Sequence, residues 1–537
     1  MLKINDITNA SSAGAFVVKK GFGAILAVTC LLGAACSSQS VEEGGLQPVA
    51  LKEAATSAST QNVADKPNVL VLMFDDMRFD TFSYRGGPVP TPNIDALAAQ
   101  STRFDMAMTT TGLCSPSRAA FFTGRWGHRT GLDDNVALWH SRQTGLKDEE
   151  GGIIKRASDA GYYVGYVGKW HLGPNGMAKR GAEFVDTYKK ELEEHERQGA
   201  PYGRMAQTKR YLAGERDENG EKNQYYLTLK GDYDDTQAAQ KVRAGQEMIK
   251  SAAKEDRPFF GVISFSQPHP PYRVPEPYAS MFPVDEIDEP ANYMAKRVNK
   301  PLSQEIPWWP WHEVSHMTDN DWRESRAHYY GAIAMLDRAV GEIIQTAKDE
   351  GMWDDLHIVF IGDQGSMIGE HGLYDKSAYA YDELMRIPLL VRDPDVEPRV
   401  VNRIVSLMDV PVTMAEWMDL KPDGAVDGDS LTPLMLKGDS AITDAEDDAL
   451  YAYEWYNGAW FGLRAIRTQD YKYVWNPGDE RDELYDLKND PGEIVNQIDN
   501  PDYKAKLLSL RKRLELRLVE VEDSSVTRLQ RLIELNS

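Results

Sequence analysis

Four short runs of apolar residues, separated by helical patterns, limit the folds that this chain can adopt. The runs comprise residues Asn68 to Phe74, Tyr162 to Val167, Phe259 to Phe265 and His357 to Ile361. Each run is continuous, as expected for a strand that is buried on both faces of a sheet. Helical patterns lie between them, at residues Asn93 to Gln100, Gly152 to Asp159, Gln237 to Lys250 and Arg326 to Ala347. Strands that alternate with helices predict an α/β fold, with a large, mostly parallel sheet between helices.

Polar side chains follow each of the four predicted strands. In the order of the strands, they are Asp75 and Asp76, then Lys169 and His171, then His269, and finally Asp363 and Gln364. Ligands of such sheets bind beyond the carboxyl ends of the strands, so we expect these side chains to surround one site. The three carboxylates and the amide oxygen suit Ca²⁺, suit Mg²⁺ less well, and do not suit zinc.

A short motif between the first two predicted strands could carry a nucleophile. Residues Cys114 to Arg118 have the sequence C-S-P-S-R, and small or apolar residues follow. Pro116 fits the first turn of a helix, where its missing N–H is not needed. The helix N-terminus and the charge of Arg118 would then favour an anion beside Cys114. The alternative is a buried, unreactive cysteine, which is the commonest fate of a free thiol.

The motif resembles the C-x-P-S-R signature of the type I sulfatases, in which the cysteine is oxidised to formylglycine. Three further segments resemble that family: residues 168–171 (G-K-W-H), Lys376 after the sequence G-E-H-G, and the carboxy-terminal stretch that begins at Leu463. The resemblance extends over roughly residues 66 to 500. It implies an alkaline-phosphatase-like α/β fold, with a large mixed sheet and a small carboxy-terminal antiparallel sheet that packs on a helix.

The resemblance also implies the residues of the active site. Catalytic roles fall on Cys114, Arg118, Lys169, His171, His269 and Lys376. A Ca²⁺ ion would be held by Asp75, Asp76, Asp363, Gln364 and the modified Cys114. Hydrated formylglycine at position 114 would attack the sulfur, with His171 as the base and His269 as the acid. Gln364 departs from the asparagine or histidine that the family has here, although it keeps a carbonyl ligand on a longer side chain.

The amino terminus predicts export. An apolar run at residues 21–35 follows two lysines and ends in small residues before Cys36. We therefore expect residues 1–36 to be a signal peptide of the lipoprotein type, with a lipid anchor at Cys36. Residues 37–66 have the composition of a disordered tether. The predicted location is the periplasm or the outer membrane, and the cell surface is a further alternative.

The composition argues against a nucleic-acid partner and provides one cysteine outside the export segment. With a formal net charge of −23, the chain lacks the basic character of a nucleic-acid-binding protein. Of its 3 cysteines, Cys114 alone lies outside the export segment, so no intramolecular disulfide framework is expected. We assign residues 67–440 to the catalytic domain and residues 441–537 to a carboxy-terminal subdomain.

The sequence therefore predicts an exported sulfatase that acts on a sulfated polysaccharide or its oligosaccharides and needs a formylglycine-generating maturase. Two alternatives stay open: a phosphonate or phosphate diester hydrolase of the same superfamily, and an inactive protein that binds sulfated glycans. The side chains of His128 and His371 could orient the site or simply pack. Trp308, Trp309 and Trp311 could stack on sugar rings, although packing within a loop is the preferred interpretation.

Overall fold

A computed structural model describes residues 66–136, 145–147, 150–173, 176–187, 225–295, 299–306, 312–421, 424–441, 447–456 and 459–536. The predicted export segment with Cys36, the predicted tether up to residue 65 and the three tryptophans at 308, 309 and 311 lie outside these ranges. The interpretations placed on them therefore stay predictions. Within the described residues, no helix combines the length and the apolar character that crossing a membrane requires.

Strands and helices alternate along the first two thirds of the chain. The strands are β1 (Asn68–Asp75), β2 (Thr102–Met108), β3 (Tyr163–Gly168), β4 (Phe184–Thr187), β5 (Tyr226–Leu229), β6 (Phe259–Pro268), β7 (Tyr272–Pro275), β8 (Leu356–Gly362), β9 (Met367–Ile368), β10 (Tyr374–Asp375), β11 (Leu389–Arg392), β12 (Arg399–Ser406), β13 (Asp448–Tyr456), β14 (Ala459–Thr468), β15 (Tyr471–Trp475) and β16 (Glu483–Asp486). The helices are α1 (Pro92–Ala98), α2 (Cys114–Thr123), α3 (Gly127–Thr130), α4 (Gly152–Asp159), α5 (Gly176–Lys179), α6 (Gln237–Ala252), α7 (Asp319–Asp349), α8 (Asp382–Met385), α9 (Asp409–Trp417), α10 (Thr432–Lys437), α11 (Lys504–Glu520) and α12 (Val526–Asn536).

The main sheet has eight strands in the order β12-β2-β11-β8-β1-β6-β3-β4. The four strands expected from the sequence are β8, β1, β6 and β3, which are neighbours at its centre and all run parallel. Among the described strands of this sheet, β11 alone pairs with its neighbours in the antiparallel sense. The fold class is therefore confirmed: a mixed, mostly parallel sheet. Because the central strands run parallel, the residues that follow them emerge at one edge.

Successive residues of β1 face two separate cores, as a strand buried on both sides requires. Val69, Val71 and Met73 pack into the core that includes residues of α2 and α4. Leu70, Leu72 and Phe74 pack into the core that includes residues of α1, α6 and α7. Helices thus cover both faces of the sheet, and the continuous apolar run follows from this double burial.

The carboxy-terminal residues form a second, antiparallel sheet of four strands in the order β13-β14-β15-β16. Leu510, Leu514 and Leu518 of α11 are buried in the same core as Tyr473 and Leu484 of this sheet. The expected small sheet with a packed helix is present. The boundary between the catalytic domain (residues 67–440) and the carboxy-terminal subdomain (residues 441–537) stays a prediction.

Candidate active site

Helix α2 places Cys114 at its first position. Leu113 before it is extended, with φ −119° and ψ 131°, and Pro116 lies in the first turn as expected. The N–H of Ser115 donates to Oδ1 of Asn135 at 3.0 Å, and the Ser115 hydroxyl donates to the carbonyl of His171 at 2.6 Å. Cys114 itself is 1% exposed. Hydrogen bonds to Asn135 and to the backbone of His171 thus hold the start of the helix in place.

The carboxylates at the carboxyl ends of β1 and β8 meet next to this helix. The ligand oxygens of Asp75, Asp76 and Asp363 all lie within 4.8 Å of one another, and the three residues are buried. The backbone N–H of Asp76 and that of Gln364 both donate to Oδ1 of Asp363, at 3.2 and 2.9 Å. The predicted acidic cluster is therefore formed by the fold.

This acidic cluster has the donors that a hard cation needs. Oδ1 of Asp75 and Oε1 of Gln364 are buried oxygens that accept no hydrogen bond. The amide nitrogen of Gln364 donates to Oδ1 of Asp76 and, at 3.1 Å, to Sγ of Cys114. Rotation of that amide by half a turn would put its oxygen beside Asp76. The donor set is oxygen-rich, which suits Ca²⁺ or Mg²⁺.

Three cations surround the acidic cluster. Arg118 is 0% exposed and donates from Nε to Oδ2 of Asp363 at 2.7 Å. Lys169 donates to Oδ2 of Asp75. Lys376 donates to Oδ2 of Asp76 at 2.5 Å. All three were expected in the site, and the shortest contact of each is with a different carboxylate.

The two expected histidines approach from β6 and β3. Nε2 of His269 lies 3.8 Å from Oδ2 of Asp76, and its Nδ1 lies 2.6 Å from the carbonyl of Pro270. Because a carbonyl can only accept, Nδ1 carries the proton of the neutral ring. His171 follows β3 in a left-handed conformation, with φ 58°, and is half-buried beside Ser115.

Burial acts to raise the pKa of every carboxyl in the acidic cluster, and nearby charges either add to this effect or oppose it. Burial is the main cause that raises the pKa of Asp363 to about 7, and the charge of Asp75 adds to it. Burial also raises the pKa of Asp76, against the opposing effect of Lys376. Burial acts to raise the pKa of Asp75 as well, but nearby cations, chiefly Lys169, hold it well below its ordinary value. Carboxylates crowded in this way favour a bound cation.

Burial likewise raises the pKa of the Cys114 thiol to about 12, with a contribution from Asp75. The thiol therefore stays protonated near neutral pH and is a poor nucleophile as cysteine. Burial, followed by the charge of Lys376, lowers the pKa of His269 to about 4.

Several groups in the site were not expected from the sequence. Asn135 holds Ser115, the hydroxyl of Ser264 lies 2.8 Å from Nη1 of Arg118, and Asp375 lies 3.1 Å from Nζ of Lys376. His312 approaches Asp375 at 3.8 Å. Only Asp375 had a sequence signal, because it stands directly before an expected catalytic lysine.

Two histidines that could have oriented the site instead contact residues elsewhere. Nε2 of His128 lies 2.8 Å from the carbonyl of Val521. The ring of His371 stacks on Tyr381, with centroids 3.9 Å apart and planes 14° from parallel. His128 is exposed and hydrogen-bonded, whereas His371 is buried and stacked, and neither of these contacts is to a residue of the acidic cluster.

The fold and the site are those of a hydrolase that acts on anionic esters. Cys114 lies at the start of a helix, two oxygens of the acidic cluster accept no hydrogen bond, and three cationic side chains surround the cluster. Residues 67–420 match the sulfatase family model, and residues 369–520 match the model described as N-sulphoglucosamine sulphohydrolase, C-terminal. The chain therefore belongs to the sulfatase family, and it is a sulfuric ester hydrolase.

Similar proteins include two named as sulfatases and one named as a phosphonate monoester hydrolase. A choline-sulfatase of Rhizobium meliloti (strain 1021) is 29% identical over 462 residues, which cover 81% of this chain and 83% of the relative. An N-acetylglucosamine-6-O-sulfatase of Bacteroides thetaiotaomicron is 25% identical over 518 residues, covering 88% and 89%. The crystal structure of a phosphonate monoester hydrolase of Agrobacterium radiobacter superposes with a TM-score of 0.67 and 26% identity, covering 85% of this chain and 96% of that one.

Proposed function

We propose that this sulfatase hydrolyses sulfate esters of a polysaccharide or its oligosaccharides with formylglycine made from Cys114 and with one bound Ca²⁺. The observation that carries the proposal is the convergence of three carboxylates and three cations around Cys114. The carbohydrate substrate is supported by the glycan-directed name of the Bacteroides relative. Conversion of Cys114 would replace a thiol that is a poor nucleophile at neutral pH.

Asp75, Asp76, Asp363 and Gln364 would hold the Ca²⁺ ion, together with the modified side chain at position 114. The hydrated aldehyde would supply a hydroxyl nucleophile, and the metal would neutralise charge on the ester oxygens. Arg118 orients the acidic cluster through its contact with Asp363, at 2.7 Å.

The remaining side chains bind the sulfate and move protons. Lys169 uses one N–H on Asp75, and Lys376 uses two, on Asp76 and Asp375, so each ammonium keeps at least one N–H for an anionic ester. Nε2 of His269 is the atom that would protonate the departing alcohol. A bound anion would raise the low pKa of His269 and so favour the protonated ring. His171 is the proposed base for the second hydroxyl of the hydrate.

Expression with a formylglycine-generating maturase tests the proposal. We expect hydrolysis of a nitrophenyl sulfate, and activity on a panel of sulfated glycans would identify the sugar and the sulfate position. Cys114→Ala is the matched inactive control. Full activity in protein whose peptide map contains only free Cys114 would contradict the role of formylglycine.

Phosphonate monoester hydrolysis is the second candidate function, because the phosphonate monoester hydrolase that superposes on this chain is 26% identical to it in sequence. The ratio of kcat/KM for a sulfate ester and a phosphonate monoester with the same leaving group decides between them. We expect the sulfate ester to be preferred.

We also propose that the protein is exported and anchored by a lipid on Cys36, because a short apolar run and small residues precede that cysteine. Labelling of cells with a radioactive fatty acid should mark the wild type. The Cys36→Ala variant should not be labelled, and its labelling would contradict the anchor.

A further inference from the structure

A fourth carboxylate lies beside the acidic cluster and has no part in the reaction proposed above. Asp375 ends β10 in a left-handed conformation, with φ 63°, which aspartate tolerates better than most residues. It is 1% exposed. Its Oδ1 accepts from Nζ of Lys376 at 3.1 Å, and one of its oxygens lies within 4.8 Å of ligand atoms of Asp76 and His269. Asp375 is therefore a buried negative charge at the edge of the site.

The surroundings hold this carboxylate in place. Its other oxygen, Oδ2, lies 3.8 Å from Nε2 of His312, whose side chain is 7% exposed. Its backbone pairs with Met367 across the two-stranded sheet of β9 and β10. Burial acts to raise the pKa of Asp375, but the charge of Lys376 and the contacts with His312 and His269 together hold it well below its ordinary value. The carboxylate thus keeps both its position and its charge.

The charges of the described site suggest what Asp375 does. Four carboxylates face three fixed cations, and the groups are Asp75, Asp76, Asp363 and Asp375 against Arg118, Lys169 and Lys376. One divalent cation, on which the proposed function rests, leaves a single net positive charge. A sulfate monoester carries one negative charge, whereas a phosphate monoester carries nearly two at neutral pH and above.

We propose that Asp375 is a specificity-determining residue that favours monoanionic over dianionic esters. It shares the ammonium of Lys376 with Asp76. Its charge lowers the positive potential that the bound ester experiences. A dianion loses more from this reduction than a monoanion does, because the Coulomb energy is proportional to the charge of the ester.

The Asp375→Asn variant tests this role, because it keeps the shape of the side chain and removes the charge. Three esters share a nitrophenyl leaving group: the sulfate and the methylphosphonate are monoanions, and the phosphate is a dianion at about pH 8. We expect the ratio of kcat/KM for phosphate over sulfate to rise by roughly tenfold or more. The ratio for methylphosphonate over sulfate should stay within about a factor of two, because both esters carry the same charge.

Two control variants separate local charge from other effects. Asp375→Glu retains the charge and should keep the wild-type ratios. Asp159→Asn removes an equal charge from the surface, where the carboxylate is 61% exposed, and should also leave the ratios unchanged. Binding of the same three esters can also be measured by calorimetry in the Cys114→Ala background, where no turnover occurs. There Asp375→Asn should strengthen the binding of the phosphate relative to the sulfate and leave the methylphosphonate-to-sulfate ratio unchanged.

Three outcomes would overturn the role of Asp375. One is an unchanged phosphate-to-sulfate ratio in Asp375→Asn, and another is an equal rise for the methylphosphonate. The third is loss of bound metal from Asp375→Asn, which would make Asp375 a metal ligand. If the wild type cleaves the methylphosphonate but not the sulfate, the proposed function is wrong, and the phosphate-to-methylphosphonate ratio still tests Asp375.

Discussion

Removal of bound metal should destabilise the protein, and this effect should grow as the pH rises. In the metal-free site, burial first and the charge of Asp75 second raise the pKa of Asp363 from 3.8 to about 7. The folded protein therefore retains a proton on Asp363 that the unfolded chain releases. The resulting stability is fully present below the unfolded pKa and is lost as the pH rises through the folded pKa. A bound cation prevents this loss because it stabilises the ionised carboxylate.

The raised pKa of Asp363 sets the size of the expected change in stability. A change in pKa from 3.8 to about 7 corresponds to roughly 4 kcal/mol in the free energy of unfolding. Between about pH 5 and about pH 8, the metal-free protein should lose about 2 to 3 kcal/mol from Asp363 alone. The raised pKa of Asp76 acts in the same direction. The stability difference between calcium-loaded and calcium-free protein should therefore widen by at least this amount.

Differential scanning calorimetry or denaturant unfolding can measure that difference, with the protein in excess Ca²⁺ or in excess chelator at several pH values. Asp409 provides a matched control, because burial raises its pKa to about 7 although it lies outside the acidic cluster. Asp409→Asn should change the pH dependence of both forms alike and leave the difference unchanged. Asp363→Asn should make the difference smaller and less dependent on pH. A difference that is constant, or that narrows as the pH rises, would refute this reasoning.

Three further predictions concern the nucleophile, the acid and the buried charges of the second sheet. Co-expression with a maturase should lower the mass of the peptide with Cys114 by about 18 Da, and Cys114→Ala should remove turnover without unfolding the protein. His269→Ala should lose about 10² to 10⁴ in rate on a sugar sulfate and much less on a nitrophenyl sulfate, and equal losses would contradict its role as the acid. Lys472→Met should lower stability by about 3 to 5 kcal/mol in denaturant unfolding, because it leaves Asp382 and Glu493 without the ammonium that each contacts at 2.7 Å.

The four neighbouring parallel strands at the centre of the main sheet were predictable from the sequence, but its other four strands were not. Strands β8, β1, β6 and β3 have both faces covered, so each appears as a continuous apolar run. The outermost strand β12 has a mixed burial pattern, and β11 has only 4 residues, so neither gives that signal. The order of the strands also depends on contacts between distant segments, which periodicity does not record.

The expected site residues share one property, which is that each follows a predicted strand or belongs to a motif. Asp75, Lys169 and His269 were found because the carboxyl ends of parallel strands meet at one edge of a sheet. Asn135 and His312 lie outside the predicted strands and motifs, and only the folded chain brings them to Ser115 and Asp375. Their roles depend on partners that are 20 and 63 residues away along the chain, so no local pattern indicates them.

The second sheet contacts the segment that follows Lys376. Nζ of Lys472, which is 0% exposed, donates to the carbonyl of Ala380 at 2.8 Å and also pairs with Asp382 at 2.7 Å. Only 3 residues separate Lys376 from Ala380, so this contact restrains the segment that carries the ammonium of Lys376. Burial of a lysine far from solvent is costly unless its charge is compensated, and here the carboxylates of Asp382 and Glu493 compensate it. The carboxy-terminal sheet is therefore tied by a buried, charge-compensated lysine to the segment that follows Lys376.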